Sequence, residues 1–343
     1  MLRRVFFVLA AALPVAQLAS AADKLVGGPF VVNAGPNSAT VVWILDGAGG
    51  KPGLSAQKTT LSGLEPGSAH SYVVPGLADG KVRFRTAPLG QAKFPFVVYG
   101  DTRSRHDVHR KVVEAILKVP ADFVIHTGDM VADGRVEAQW PVFFSIEKEL
   151  LSRLAFFPAL GNHEHNTPKF YEFFDRSQPY YSFDWGAAHF TMLLSDIDSL
   201  AGGGDAKRKF WEEQKRWLEQ DLEKSQGASL RFVTIHHPPF SAVGSRQGDT
   251  NPTKELVPLY ERYKGAAVFS GHDHNYQHHL KNGVHYVVSG GGGAPLYLVD
   301  APLRGITVKA ESVENFVQVT VDGRQVRMEA RRPNGSLIEG FSF

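Results

Sequence analysis

Phe96-Val97-Val98-Tyr99-Gly100-Asp101 is a run of apolar, strand-forming residues that ends on a glycine and a carboxylate. The same design returns in Phe123-Val124-Ile125-His126, which leads into Gly128-Asp129, and in Phe232-Val233-Thr234-Ile235, which leads into His236-His237. Gly161-Asn162-His163-Glu164 and Gly271-His272-Asp273-His274 add two further polar clusters, each behind an apolar stretch. Short runs without polar alternation mark strands covered on both faces. In open α/β sheets ligands gather beyond the carboxyl ends of the strands, where all five clusters would converge. One Gly-Asp carries no information; five clusters in a fixed order do.

Around these runs the texture alternates between strand and helix. The spacing of apolar residues predicts helices over 107–118, 140–154, 207–223 and 254–263. Beyond Gly293 it predicts strands over 315–321 and 325–330, flanking the hairpin signal Asp322-Gly323. The fold class expected is α/β (α+β), a two-layer β-sandwich core flanked by helices rather than a single Rossmann sheet. Before residue 94 the chain reads as short strands at 30–32, 39–45 with Trp43 inward, 58–61, 71–74 and 81–86. This stretch is shorter than a typical sandwich of about 100 residues. The expected organisation is a signal peptide over 1–21, a small all-β domain over 22–88, the linker Ala87-Pro88-Leu89-Gly90 and a large domain over 91–343.

Arg3-Arg4, the apolar stretch 5–18 and Ala19-Ser20-Ala21 have the order of a secretory signal, cut near Ala21. Export to a periplasm or to the medium is the expected localisation. No later stretch approaches the roughly 20 apolar residues of a membrane span. Without Arg3 and Arg4 the 37 basic residues fall to 35, level with the 35 acidic ones. Such a balance gives no electrostatic reason to bind nucleic acid. There is no cysteine, so thiolate metal sites and cysteine nucleophiles are excluded. Gly290-Gly291-Gly292-Gly293 is not followed by Lys-Ser/Thr or by a helical pattern, which removes the P-loop and dinucleotide readings. A turn that lets backbone pass close to the site is the expectation there.

The five clusters offer only oxygen and nitrogen ligands, the set that suits Fe, Mn or Zn. Their order resembles the calcineurin-like metallophosphoesterase superfamily and, within it, the purple acid phosphatase branch, whose N-terminal fibronectin type III-like domain the segment 22–88 is similar to. The resemblance implies two metal ions, the first held by Asp101, Asp129 and His274. Asp129 would bridge to the second, completed by Asn162, His236 and His272. Two cations about 3.5–4 Å apart hold a hydroxide at neutral pH and clamp phosphoryl oxygens, and a carboxylate suits the bridge because it has two oxygens and a negative charge. His163 would be the acid that protonates the leaving oxygen, with Glu164 orienting it. The activity implied is hydrolysis of small-molecule phosphomonoesters by direct attack of metal-bound hydroxide.

Two positions depart from the family pattern. Arg103 stands where the wider superfamily has a histidine ligand, and a guanidinium has no lone pair to give. Arg103 is therefore expected to act as a phosphate clamp. Ala132 stands where purple members have a tyrosine ligand, so the purple colour is expected to be absent. His106 or His109 could compensate by folding back, although a surface or helix-start histidine is the commoner outcome; His237, pointing to the opposite side from His236, reads as a neighbour of the ligands or as structural. A phosphodiesterase or nucleotidase would use the same ligands, and a secreted binding protein with a vestigial metal site is the alternative from another class.

Overall fold

The computed structural model of the protein describes residues 24–343. Five strands come first: β1 (Lys24–Val32), β2 (Ser38–Asp46), β3 (Leu54–Ser62), β4 (Ala69–Val73) and β5 (Lys81–Arg85). Strand and helix then alternate through β6 (Phe94–Tyr99), α1 (His106–Ile116), β7 (Phe123–His126), α2 (Trp140–Leu151), β8 (Ala155–Pro158) and α3 (Pro168–Phe173). Next come β9 (Tyr181–Trp185), β10 (Ala188–Leu193), α4 (Gly204–Lys224), β11 (Leu230–Ile235), α5 (Asn251–Lys254), α6 (Val257–Arg262) and β12 (Ala267–Ser270). Six strands follow: β13 (Tyr276–Lys281), β14 (Val284–Ser289), β15 (Thr307–Glu311), β16 (Phe316–Asp322), β17 (Gln325–Arg331) and β18 (Leu337–Ser342).

These strands form two large sheets. One has the order β18-β17-β16-β6-β7-β8-β1-β2-β3, the other β15-β13-β14-β12-β11-β10-β9, and β4-β5 is a separate hairpin. At the centre of the first sheet β6, β7 and β8 run parallel, and at the centre of the second β10, β11, β12 and β14 do. The expected two-layer core is thus present.

Side-chain alternation explains the apolar runs. Phe94, Phe96 and Val98 of β6 point between the sheets, while Val97 and Tyr99 point out under the helices. Phe96 stacks on Phe123 of its own sheet at 5.0 Å and meets Phe190 of the other edge-on at 5.3 Å. Such pairs contribute about 0.5–1.5 kcal/mol each beyond their burial. The outward face is covered by α1 and α2 through Val112, Ile116, Trp140 and Phe144. With both faces covered, a polar residue would have nowhere to go until the strand ends.

The N-terminal segment is all-β, and the strands expected there form. Three of them extend the first sheet instead of closing on themselves: β1 meets β8 through the parallel pair Val31↔Ala155, and β2 and β3 follow outward. Val31, Trp43 and Phe84 share one core with Phe96 and Phe123. A stretch this short buries too little apolar surface to stand by itself, and sharing the larger core removes that deficit. The expected helix over 254–263 divides into α5 and α6, because Pro258 is tolerated only in a helix's first turn. α3 was not expected from the sequence; six residues starting on Pro168 are too few to show a period. The expected signal segment, 1–21, lies outside the described residues. Among the described residues no helix is long and apolar enough to cross a membrane.

Candidate metal centre

All five clusters meet at the carboxyl ends of the central strands. Asp101 follows β6, Asp129 follows β7, Asn162 and His163 follow β8, His236 follows β11, and His272 and His274 follow β12. Asp101, Asp129 and His272 all have left-handed backbone, with φ of 57°, 59° and 66°. That conformation is costly for residues with side chains and collects at functional sites. The loops also interlock, since the Asp101 amide donates to the Gly128 carbonyl at 3.0 Å and the Thr102 amide to that of Asp129 at 3.0 Å. The glycines before the ligands have a packing reason: a Cβ on Gly161 would collide with the Asp129 carboxylate, and one on Gly271 with that of Asp101. Gly290 to Gly293 form the expected close-passing turn, in which the Gly292 amide bonds the Gly100 carbonyl at 3.0 Å.

Ligand atoms of Asp101, Asp129 and His274 lie within 4.8 Å of one another, and all three residues are buried. Beside them, Asn162 Oδ1 is 3.0 Å from His236 Nε2 and 3.1 Å from His272 Nδ1, and His236 Nε2 is 3.3 Å from Asp129 Oδ1. The six expected side chains therefore come together as two groups joined at Asp129.

Each histidine has its other nitrogen committed. His274 Nδ1 donates to the Pro295 carbonyl at 2.7 Å, His236 Nδ1 to that of Thr127 at 2.8 Å, and His272 Nε2 to the Asp249 carboxylate at 3.0 Å. Burial above all holds His274 down to about 4 and His272 far below the usual imidazole range, so both rings are neutral near pH 7. A neutral imidazole that donates from one nitrogen offers a bare lone pair at the other. The second nitrogens of His274, His272 and His236 face the Asp101 carboxyl, the Asn162 amide oxygen, and Asp129 with Asn162, respectively. A cation among these donors would be held by them, and a histidine ligand anchored through its other nitrogen is the usual form of a metal site. The donor set thus fits metal binding.

Burial and then the Asp129 charge push the Asp101 carboxyl well up. Burial acts upward on Asp129 as well, but His236, His163 and Arg103 outweigh it and hold that carboxyl below its usual range. Arg103 lies across this side of the site, its Nε 3.5 Å from Asp129 Oδ2 and without a hydrogen bond. His163 Nδ1 is held by the Ala132 carbonyl at 2.7 Å, and its Nε2 stands 3.8 Å from Asp129 Oδ2.

Two expectations need correction, for Glu164 and His237, and the lesser alternative of His109 as a ligand is not realised. Glu164 does not orient the His163 ring: its buried carboxylate accepts the amides of Gly161 and Asp129 on one oxygen and that of Met130 on the other, at 2.7, 2.9 and 2.8 Å. It braces the two ligand loops against each other, and the Ala132 carbonyl positions the ring. His109 does not fold back as a ligand; it is tied to Glu147 at 2.6 Å, and Glu147 also accepts the Tyr99 hydroxyl. His237 does not face away, because strand alternation ends with β11. Its ring lies 3.9 Å from that of His272, centre to centre, and its Nδ1 is 2.6 Å from the Ser195 hydroxyl.

Sequence reasoning missed His126 and Asp249. His126 sits under both aspartate loops, accepting the Gly128 amide at 3.2 Å and meeting the Thr102 hydroxyl at 3.2 Å. A histidine ending an otherwise apolar strand was its only signal. Asp249 gave none, since it lies in a loop with nothing to distinguish it from other acidic residues.

A family model described as calcineurin-like phosphoesterase matches residues 94–276. An uncharacterised protein of Mycobacterium tuberculosis is 26% identical over 263 residues, which cover 63% of this chain and 49% of that protein. Acid phosphatase type 7 of Mus musculus is 25% identical over 257 residues, covering 65% of this chain and 57% of that protein. The chain spans about half the length of these curated relatives. The structure of a purple acid phosphatase from yellow lupin (Lupinus luteus) seeds matches with a TM-score of 0.72 and 17% identity, covering 92% of this chain and 73% of that one, which is a likeness of fold.

Proposed function

The chain belongs to the calcineurin-like phosphoesterase family, in its purple acid phosphatase-like branch, and from that premise we propose that it is an exported, two-metal hydrolase of phosphomonoesters. The observation that supports the metal pair is the convergence of three imidazole nitrogens on the Asp101 and Asp129 carboxyls and the Asn162 amide oxygen, each ring anchored by its other nitrogen. Asp101, Asp129 and His274 would hold one metal, and Asp129, Asn162, His236 and His272 the other. A bound pair supplies Lewis-acid stabilisation of the phosphoryl oxygens and lowers the pKa of the attacking water.

The remaining steps fall to this chain's own residues. Arg103 has a free Nε–H beside Asp129 and neutralises charge that builds on the non-bridging oxygens of the phosphoryl group. His163 donates Nδ1–H to Ala132, so its protonated ring presents Nε2–H to the departing oxygen. Anchoring at Ala132 keeps the ring from turning that proton away. Glu164 fixes the relative position of Asp129 and Asn162 through the backbone amides it accepts.

Purified protein reconstituted with Fe, Mn or Zn is expected to retain about two metals and release phosphate from monoesters. Metal retained without cleavage of any phosphate ester at any pH would end the hydrolase proposal. Failure to retain metal would leave the reading of a secreted binding protein.

A further inference from the structure

A cavity of about 310 Å³ opens beside the candidate centre, between the start of α1, residues 130–132 and α2. Its wall is mostly apolar, with Met130, Val131, Val142 and Phe143 joined by Ser104, His106, His109 and Gln139, and no aspartate, glutamate, lysine or arginine lines it. Other cavities differ in this respect. One of about 590 Å³ is lined by Asp79, Lys81, Arg110 and Glu149 among others, and one of about 410 Å³ by Lys111, Lys118 and Arg332.

Two side chains connect the mostly apolar cavity to the centre. Arg103 reaches from Asp129, 3.5 Å from its Nε, to the Ser104 hydroxyl, 3.3 Å from its terminal nitrogen, and Ser104 lines the cavity. His163 spans the same gap, from Asp129 at 3.8 Å to the carbonyl of Ala132, a residue of the cavity lining. The rim of the cavity therefore begins one side chain's width from the Asp129 carboxylate. A phosphoryl group that touched Arg103, with its ester oxygen at His163, would lie beside this border.

We propose that the cavity receives the alcohol portion of the ester, and that the centre's substrates are phosphomonoesters of compact, uncharged alcohols carrying an apolar or aromatic group; this rests on the phosphomonoesterase reading above. Size and lining agree with a small-ligand site, since such pockets hold roughly 300–1,000 Å³ and are mostly apolar. Further phosphates of a nucleotide would find no lysine or arginine in this lining, and a cationic head group no aspartate or glutamate. Of the two lining histidines, His109 is tied to Glu147 at 2.6 Å on its far side.

The test uses a pair of inert phosphonates so that binding is read apart from turnover. Metal-loaded protein is expected to bind benzylphosphonate about tenfold or more tighter than methylphosphonate, as burial of one aromatic group implies. In hydrolysis, benzyl phosphate should show a lower KM than methyl phosphate with similar kcat, both having alkoxide leaving groups. Ala138→Trp fills the cavity from an exposed position, and Val142→Lys places a charge at its edge. Both variants are expected to keep metal and methylphosphonate affinity while losing the benzyl advantage. Equal binding of the two phosphonates by the unaltered protein, or an advantage that survives both variants, overturns the proposal whatever the turnover. Benzyl selectivity that both variants abolish, in a protein that cleaves no ester, would uphold the cavity's role and remove the hydrolase reading instead.

Discussion

Asp249→Ala separates the two halves of the candidate centre. The Asp249 carboxylate accepts Nε2–H of His272 at 3.0 Å, which leaves Nδ1 bare toward Asn162. Without it the ring can carry its proton on Nδ1, the atom that faces the second metal position, and can rotate. Loss of such an anchoring partner lowers metal affinity about 10- to 100-fold, or roughly 1.4–2.7 kcal/mol. Asp249 is 39% exposed and also pairs with Arg246 at 3.0 Å, so water and that guanidinium moderate the effect toward the lower figure. The Asp249 carboxylate bonds His272 and Arg246 and none of Asp101, Asp129 and His274, so that group should keep its affinity. Dialysis of metal-loaded protein against graded chelator, followed by elemental analysis, reads both sites. The expected result is that one metal leaves at about tenfold lower chelator strength while the other is retained as in the unaltered protein. Two metals leaving together and unchanged would refute the assignment of His272 Nδ1 as a ligand atom and, with it, the lone-pair argument.

Asp129→Ala should weaken both metal positions, whereas His163→Ala should keep the metals and lower kcat about 10²- to 10⁴-fold on alkyl esters; equal metal loss in the two would remove the proton-donor role. Glu164→Ala leaves three buried amides without their acceptor, and the midpoint of urea unfolding should fall by the equivalent of about 2 kcal/mol or more; an unchanged midpoint would show that the loops hold themselves. His189 is a test by pH. Burial lowers its basicity, but hydrogen bonds to Asp184 and Asp221 outweigh that and raise it from 6.5 to about 9. Because the folded value is the higher, its stabilisation is complete below about pH 6.5 and is lost as pH rises through about 9, up to about 3 kcal/mol in all and less for screening by water at the exposed Asp184. The gap in unfolding free energy between the unaltered protein and His189→Gln should shrink across that window, and a gap independent of pH would contradict the charged pairing.

The side chains that gather at the strand ends and the class of fold were readable because both follow from local necessities. A strand covered on two faces must be apolar until it ends, so Gly-Asp after Phe96-Val97-Val98-Tyr99 announces where the chain leaves the sheet. The glycines beside the ligands are equally legible, since Gly161 and Gly271 stand where a neighbour's carboxylate fills the space of a Cβ. The orientation of the rings was not readable. His163, His236 and His274 are aimed by the carbonyls of Ala132, Thr127 and Pro295, and every residue carries a carbonyl, so nothing in their side chains announces the role.

The sequence by itself determined which side chains would gather at the strand ends and what class of ion they suit. Tertiary structure alone decided that Glu164 braces backbone, that Glu147 keeps His109 from the site, that β1 to β3 extend the larger sheet and that a mostly apolar cavity adjoins Arg103 and His163. The physical reason is that donor chemistry belongs to a residue and is written in its identity. Orientation, sheet membership and empty space belong to pairs of segments far apart in the chain, and arise only when those segments pack.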